Sequence, residues 1–215
     1  MVCRPIALVL LSASSVAAHP HVFVTATLNI QLNDDGQIAG VHVSWAYDDL
    51  FSLLVTEELE LDPDGDMVLT ADENAALTAY IIDWPADYVG DVYLWAGETA
   101  LPLAPVTDHA VSFQDGIVTE TFYRALITPQ DTITAPVDVQ VYDPYYYVAY
   151  ETQPDITLTG RQDCTATLTR ADIASADAMV QALLNGRSAS DVGVDEEFPQ
   201  VGRAFADTVR VACGG

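Results

Sequence analysis

The sequence predicts an α+β fold: an antiparallel β-sheet or sandwich, an inserted helix pair and a disulfide-tethered C-terminal helical segment. Runs that alternate between apolar and polar residues, separated by Gly, Pro and Asp turns, predict the strands. Three stretches with helical periodicity predict the helices. Half of the 215 residues are hydrophobic, so the chain can bury a full-sized core. We expect residues 19–215 to form one domain.

The first predicted element is a β-hairpin. Residues 19–32 (HPHVFVTATLNIQL) and 41–47 (VHVSWAY) both alternate with period two. The intervening NDDGQ contains an Asp-Gly pair, which is a strong hairpin signal.

The turn type sets the register of this hairpin. If Asp35-Gly36 is a two-residue turn, Phe23 falls opposite Asp48 and His42 falls opposite Asn29. His42 should then be an ordinary strand residue, far from the N-terminus.

Helical periodicity begins at Asp48. Two amphipathic segments flank an acidic loop, so that residues 48–83 predict a helix–loop–helix unit, and Pro85 ends the second helix. Short alternating runs from residue 88 to residue 170 predict strands. The chain after Arg170 reads as helical again, up to Cys213.

The first 18 residues predict a secretory signal peptide. One arginine, a short apolar run and small residues at Val16 and Ala18 match the pattern that signal peptidase cleaves. Cleavage after Ala18 would make His19 the new N-terminus. We therefore expect a periplasmic protein without a membrane anchor after cleavage.

The charge of the chain is strongly acidic. Thirty-two Asp and Glu residues oppose seven basic ones, and the formal net charge is −25. Such a surface repels nucleic acid and attracts cations, so we expect no nucleic-acid partner. Adaptation to a salty medium explains the imbalance better than any single function.

Two cysteines remain after the predicted cleavage, Cys164 and Cys213. In an oxidising compartment such a pair predicts one disulfide. Neither cysteine has a CxxC partner, which argues against a zinc or redox role.

The acidic loop at residues 62–73 (DPDGDMVLTADE) resembles the calcium loop of the EF-hand family over some 30 residues with its flanking helices. The loop supplies oxygen atoms at the spacing that calcium requires, with a carboxylate at the twelfth position. The predicted calcium ligands are Asp62, Asp64, Asp66, Val68 (through its carbonyl), Thr70 and Glu73.

One position departs from the EF-hand pattern. The sixth, where EF-hands carry a glycine with positive φ, is Met67. A simpler interpretation also exists: Thr70 and Glu73 form a capping box that starts any helix, and the Asp-Pro-Asp-Gly run is an ordinary turn. We favour the EF-hand interpretation because it explains all of the matches together.

The predicted new N-terminus, His19-Pro20-His21, is a candidate transition-metal site. A free α-amine and two imidazoles are good ligands for nickel, cobalt, copper or zinc. The hairpin register adds Asp48 as a third candidate ligand. Alternatively, the two histidines belong to a polar, mobile terminus. A copper brace would need a second, distant histidine, and only His42 and His109 are present.

Several stretches together resemble one bacterial family of uncharacterised proteins, described as the periplasmic component of an ABC-type transport system. The resemblance covers essentially the whole mature chain and implies a link with nickel or cobalt transport. The stretches are HPHVFV, VSWAYDDLFS, the EF-like loop, VDVQVYDPYYYVAY, the following cysteine and VGRAFADTVRVAC.

Taken together, these observations favour a periplasmic accessory protein that binds divalent metal (calcium, and nickel, cobalt or zinc) and serves an inner-membrane metal transporter. The first alternative is a structural or adaptor protein that calcium stiffens. The second is a copper-dependent oxidative enzyme with an N-terminal histidine. The chain contains no recognisable catalytic set, so the sequence indicates no enzyme.

Overall fold

The structure is a computed structural model that describes residues 20–85, 88–187 and 198–214. Within these residues, strands form two sheets and three α-helices pack outside them, which confirms the α+β fold class. The bounds are β1 Val22–Leu32, β2 Gln37–Tyr47, α1 Asp49–Glu58, α2 Ala71–Ile81, β3 Val92–Ala96, β4 Thr99–Ala100, β5 Thr107–Gln114, β6 Ile117–Asp131, β7 Val137–Val141, β8 Val148–Thr152, β9 Thr157–Thr159, β10 Cys164–Thr169, α3 Ile173–Leu183 and β11 Thr208–Cys213.

The two sheets are largely antiparallel. The first has the strand order β5-β6-β2-β1-β8, and β9 also pairs with β1. The second has the order β10-β11-β7-β3-β4. The pairings of β1 with β8 and with β9 are parallel, and the other ladders are antiparallel.

One hydrophobic core lies between the sheets. The predicted alternation along β1 is confirmed, because Val24, Ala26 and Leu28 are buried while the residues between them face outward. The same core cluster contains side chains of β2, β3, β6, β7 and β11. The two sheets therefore form a sandwich.

The predicted register of the first hairpin is confirmed over most of its length. Asn29 pairs with His42, and Val24 pairs with Tyr47. At the open end, the Asp48 amide donates to the Phe23 carbonyl at 2.9 Å.

The predicted two-residue Asp35-Gly36 turn is wrong. The Asn33 amide donates to the Gln37 carbonyl at 2.9 Å, so three residues form the turn. The Asn33 side chain accepts hydrogen bonds from the amides of Asp35 and Gln37, which favours this wider turn. Ala39 is an extra residue in β2, and this bulge restores the predicted register beyond it.

The apolar stripe that helical periodicity predicts for α1, which includes Leu50, Leu54 and Val55, is only partly buried. Val55 lies inside, but Leu50 and Leu54 are exposed by 60% and 58%. The fully buried residue is Ser52, whose hydroxyl accepts a hydrogen bond of 3.1 Å from the Val118 amide. This contact turns the small polar face of α1 toward β6 and its leucines toward solvent.

The predicted helix at the C-terminus is wrong, although helix α3 before it is confirmed. The described residues 198–214 contain a short 3-10 helix, Gly202–Phe205, followed by β11. Val209 and Val211 alternate into the core, and β11 pairs with both β7 and β10. The six residues of β11 alternate between buried and outward-facing positions, as a strand does, and they are too few for a packed helix.

The predicted disulfide is confirmed, and it joins two strands. Cys164 opposes Cys213 across β10 and β11, and their sulfur atoms are bonded. The Cys213 amide also donates to the Thr132 carbonyl at 3.1 Å. The disulfide therefore fixes the last strand to the edge of the second sheet.

Candidate metal site and buried carboxylates

The loop between α1 and α2 brings three carboxylates together. One oxygen each of Asp62, Asp64 and Asp66 lies within 4.8 Å of the others. Within the described ranges, this is the single group of three or more side chains with metal-ligating chemistry. Clustered carboxylate oxygens suit a hard cation such as calcium.

The backbone of this loop winds around its first carboxylate. The amides of Asp66 and Met67 donate to the two oxygens of Asp62 at 3.1 and 3.0 Å, and the Val68 amide donates to Asp66 at 2.8 Å. Met67 has a φ of 62°, the left-handed conformation expected at the sixth position. A non-glycine residue therefore occupies the place where the loop needs a positive φ.

The twelfth residue of the loop, Glu73, lies outside the group of three carboxylates. It accepts hydrogen bonds of 2.7 Å from both the amide and the hydroxyl of Thr70, and one of 3.2 Å from the Asp62 amide. The Thr70 hydrogen bonds hold the pKa of the Glu73 carboxyl below its usual range. Since the Thr70 hydroxyl accepts from the Glu73 amide, the capping box is complete.

A buried leucine anchors the loop to the sandwich. Leu69 is 8% exposed and belongs to the same cluster as Leu77 and Ile81 of α2 and Val118 of β6. This apolar eighth position fits the predicted EF-hand pattern. The Val68 side chain just before it is exposed.

The helical pattern predicted for residues 49–61 would run directly into the loop, but the observed entry to the loop differs. Helix α1 ends at Glu58, and both Glu60 and Asp62 have left-handed φ values, 53° and 52°. The Leu61 amide donates back to the Thr56 carbonyl. The incoming helix therefore stops before the loop instead of running into it.

Of the predicted N-terminal metal site, His19 lies outside the described residues. The His21 amide donates to the Tyr147 carbonyl at 2.8 Å, and the two rings stack with their centroids 6.2 Å apart. His21 is thus fixed beside the turn that precedes β8.

Asp48 is positioned as predicted, but both of its carboxylate oxygens bind the backbone. One accepts from the Phe23 amide at 2.6 Å and the other from the Phe51 amide at 2.8 Å, which makes Asp48 the N-cap of α1. In the described part of the chain, His21 and Asp48 do not belong to any group of three ligating side chains.

The remaining two histidines lie in strands. His42 is exposed in β2, with its ring 4.4 Å from that of Tyr123. His109 is in β5, as predicted, but it has a partner that the sequence did not reveal. Its Nε2 lies 2.5 Å from a carboxylate oxygen of Glu120.

Glu120 is a buried carboxylate within β6, with no exposed surface. Its second oxygen accepts a hydrogen bond of 2.6 Å from the Tyr47 hydroxyl. Burial raises the pKa of Glu120, and the hydrogen bonds from Tyr47 and His109 oppose this shift. One signal in the sequence indicated this burial: Glu120 lies on the same side of its alternating strand as Val118 and Phe122, which face the interior.

A second buried carboxylate, Asp91, lies just before β3 and is 4% exposed. It accepts a hydrogen bond of 2.9 Å from the Tyr150 hydroxyl, and Tyr88 also donates to it. Burial raises its pKa to about 7, against the effect of both hydrogen bonds. Sequence analysis did not single out Asp91, since its tyrosine partner is far away along the chain.

The sequence of the chain matches one known family. No described helix is long and apolar enough to cross a membrane. No curated protein matches the chain. One family model, described as "Protein of unknown function (DUF1007)", matches residues 5–213. The chain therefore belongs to the DUF1007 family of proteins of unknown function.

Proposed function

We propose that this chain is an exported divalent-cation-binding protein that takes calcium in the loop from Asp62 to Glu73 and serves a metal transport system of the inner membrane. The approach of Asp62, Asp64 and Asp66 to within 4.8 Å carries the proposal. Three carboxylates concentrate negative charge in one loop, and a bound calcium ion would neutralise it.

Two observations support export. The disulfide between Cys164 and Cys213 fits an oxidising compartment such as the periplasm. The predicted signal peptide, residues 1–18, would direct the chain there.

The second part of the proposal is a transition-metal site at the new N-terminus. His19 and His21, together with the free α-amine, would bind nickel, cobalt or zinc. Asp48 contributes less than the sequence predicted, because its two oxygens cap α1 and bind the Phe23 amide.

The adaptor alternative draws support from α1. Leu50, Leu53 and Leu54 are each more than half exposed, and residues at this spacing share one helix face. Calcium would then stiffen the α1–α2 unit that presents this face to a partner, with no transition-metal role. The copper-enzyme alternative has less support, because the Nε2 atom of His109 binds Glu120.

Metal analysis of protein that starts at His19 distinguishes these functions. The proposal expects calcium together with nickel, cobalt or zinc after dialysis against a metal mixture. Calcium alone supports the adaptor, and copper with reductant-dependent turnover supports the enzyme. Asp64→Asn is the matched loop variant and should lose calcium only. Protein that retains no divalent metal contradicts all three.

A further inference from the structure

A cavity of about 460 Å³ opens between the start of β3 and the turn that joins β7 to β8. This volume falls in the range of small-molecule binding sites, roughly 300–1,000 Å³. Three tyrosines, two aspartates, two prolines and two valines line it. The tyrosines and aspartates are Tyr88, Tyr93, Tyr145, Asp91 and Asp143.

In the described part of the chain, no basic side chain pairs with the two carboxyl groups of the cavity, those of Asp91 and Asp143. The Asp143 carboxylate accepts only backbone hydrogen bonds, from the amides of Tyr145, Tyr147 and Val148 at 3.0, 2.6 and 3.1 Å. Asp91 accepts from tyrosine hydroxyls.

A buried carboxylate without a cationic partner is costly. Burial raises the pKa of the Asp91 carboxyl, and the charge of Asp143 raises it further. Asp91 also holds a left-handed φ of 46° next to Gly90 at 78°. Strained backbone of this kind is concentrated at functional sites. A cation bound in the cavity would pair with the Asp143 carboxylate and favour loss of the proton from Asp91.

The lining suits an organic cation better than a metal ion. A hard metal ion needs about six oxygen ligands, whereas this cavity supplies two carboxylates and tyrosine side chains. The group of three clustered carboxylates lies elsewhere, in the Asp62–Asp66 loop. Aromatic faces attract an ammonium or guanidinium group within about 6 Å of the ring.

We propose that this cavity binds a small organic ammonium compound, with its charged group beside Asp91 and Asp143 and its apolar part against Tyr88, Tyr93 and Tyr145. The site is separate from the calcium loop, and its test does not depend on the proposed metal function.

Choline and its neutral isostere 3,3-dimethyl-1-butanol form a matched pair of probes. Isothermal titration calorimetry of the full chain should show saturable choline binding, and the neutral alcohol should bind at least tenfold more weakly, about 1.4 kcal/mol. Benzylamine serves as a second ammonium probe. The proposal is overturned if choline and the neutral alcohol bind equally well. It is also overturned if neither choline nor benzylamine shows saturable binding at millimolar concentration.

Two variants tie binding to this cavity. Asp91→Asn keeps an acceptor for the tyrosine hydroxyls but removes the charge, and should weaken choline binding at least tenfold. Tyr93→Leu removes one aromatic wall and should also weaken it. The control is Asp138→Asn, which removes a carboxylate paired with Arg210 outside the lining and should change nothing. Unchanged affinity in either cavity variant overturns the assignment, and melting curves establish that each variant is folded.

Discussion

The Met67 amide donates a hydrogen bond of 3.0 Å to the Asp62 carboxylate while Met67 itself holds a left-handed φ of 62°. The same turn that closes the loop over its first carboxylate therefore strains a residue with a side chain. Left-handed backbone costs an L-residue roughly 1–2 kcal/mol. Met67 is 58% exposed, so the packing of its side chain offsets little of this conformational cost.

Replacing Met67 with glycine should stabilise the calcium-free protein by about 1 kcal/mol, because glycine adopts positive φ without a steric penalty, and should leave calcium binding at least as tight. Calcium titrations and urea denaturation measure the two effects. Met67→Ala is the control, since it removes the side chain but keeps the strain. Weaker calcium binding by Met67→Gly would show that the sixth position has been misassigned.

Variants of Thr70 and Glu73 distinguish a calcium site from a simple helix cap. Thr70→Ala should destabilise the calcium-free protein by about 1 kcal/mol, since it removes the N-cap of α2. Glu73→Gln should abolish the rise in melting temperature that millimolar calcium produces in the wild type, because a ligand that binds only the native state stabilises it. If calcium leaves the wild-type melting temperature unchanged, the pair is a capping box alone.

The first hairpin shows what a local pattern can predict. Alternation along β1 and β2 fixed which residues face the core, and burial of one face allows few registers. The details of the turn could not be read in the same way. The Asn33 side chain selected a wider turn, and the bulge at Ala39 compensated for it.

The errors at α1 and β11 both involve contacts with strands that are distant along the chain. Ser52 is buried because its hydroxyl binds an amide of β6, 66 residues away along the chain. Val209 and Val211 enter the core because β11 lies between two other strands. The Ser52 contact leaves no signal within its own segment, whereas the alternation at Val209 and Val211 is a strand signal within β11.

The buried carboxylates were missed for a similar reason. Asp91 and Tyr150 are separated by 59 residues, and Glu120 and Tyr47 by 73. Only Glu120 carried a local signal, its position on the inward side of an alternating strand. The acidic loop was predictable because its carboxylates are close in sequence.

Removal of the disulfide should destabilise the protein considerably. The Cys164→Ala, Cys213→Ala double variant loses the link between two residues 49 positions apart. In the chain-entropy model this costs roughly 4 kcal/mol, which urea denaturation would show as a lower midpoint. A double variant as stable as the wild type under oxidising conditions contradicts a structural role for this bond.

Protein that begins at His19 should bind nickel, copper or zinc more tightly than protein with an extra N-terminal methionine. The extension turns the α-amine into an amide, which is a poor ligand, and displaces His19 from the end. Titration calorimetry measures the difference. Binding should also weaken in acid, because the ligands must release protons before they coordinate a metal.

Point variants test the other ligands of this site. His21→Ala should remove most of the affinity. Asp48→Asn should remove a smaller part and keep the cap of α1, since asparagine is a good N-cap residue. His42→Ala is the control, because His42 lies opposite Asn29, well along β1. Equal affinity of extended and unextended protein would show that the terminus is not a metal site.

Asp91 should make the protein less stable as the pH rises from about 4 to about 7. Its folded pKa is about 7, above the ordinary 3.8, so in this range the folded state retains a proton that the unfolded state has lost. Stability therefore falls with rising pH by up to about 1.4 kcal/mol per pH unit. Burial raises this pKa most, the hydrogen bonds from the Tyr150 and Tyr88 hydroxyls lower it, and the charge of Asp143 raises it.

Asp91→Asn should remove this contribution and leave the protein more stable than the wild type at pH 8, by up to about 4 kcal/mol, with little difference near pH 4. Urea denaturation at several pH values measures the difference in the free energy of unfolding between the two proteins. Because both proteins contain Glu120, its contribution cancels in this difference. The control is Asp138→Asn, which alters a carboxylate paired with Arg210. If wild type and Asp91→Asn show parallel stability curves from pH 4 to pH 8, Asp91 does not titrate in this range, because a buried carboxyl that takes up a proton on folding must separate them.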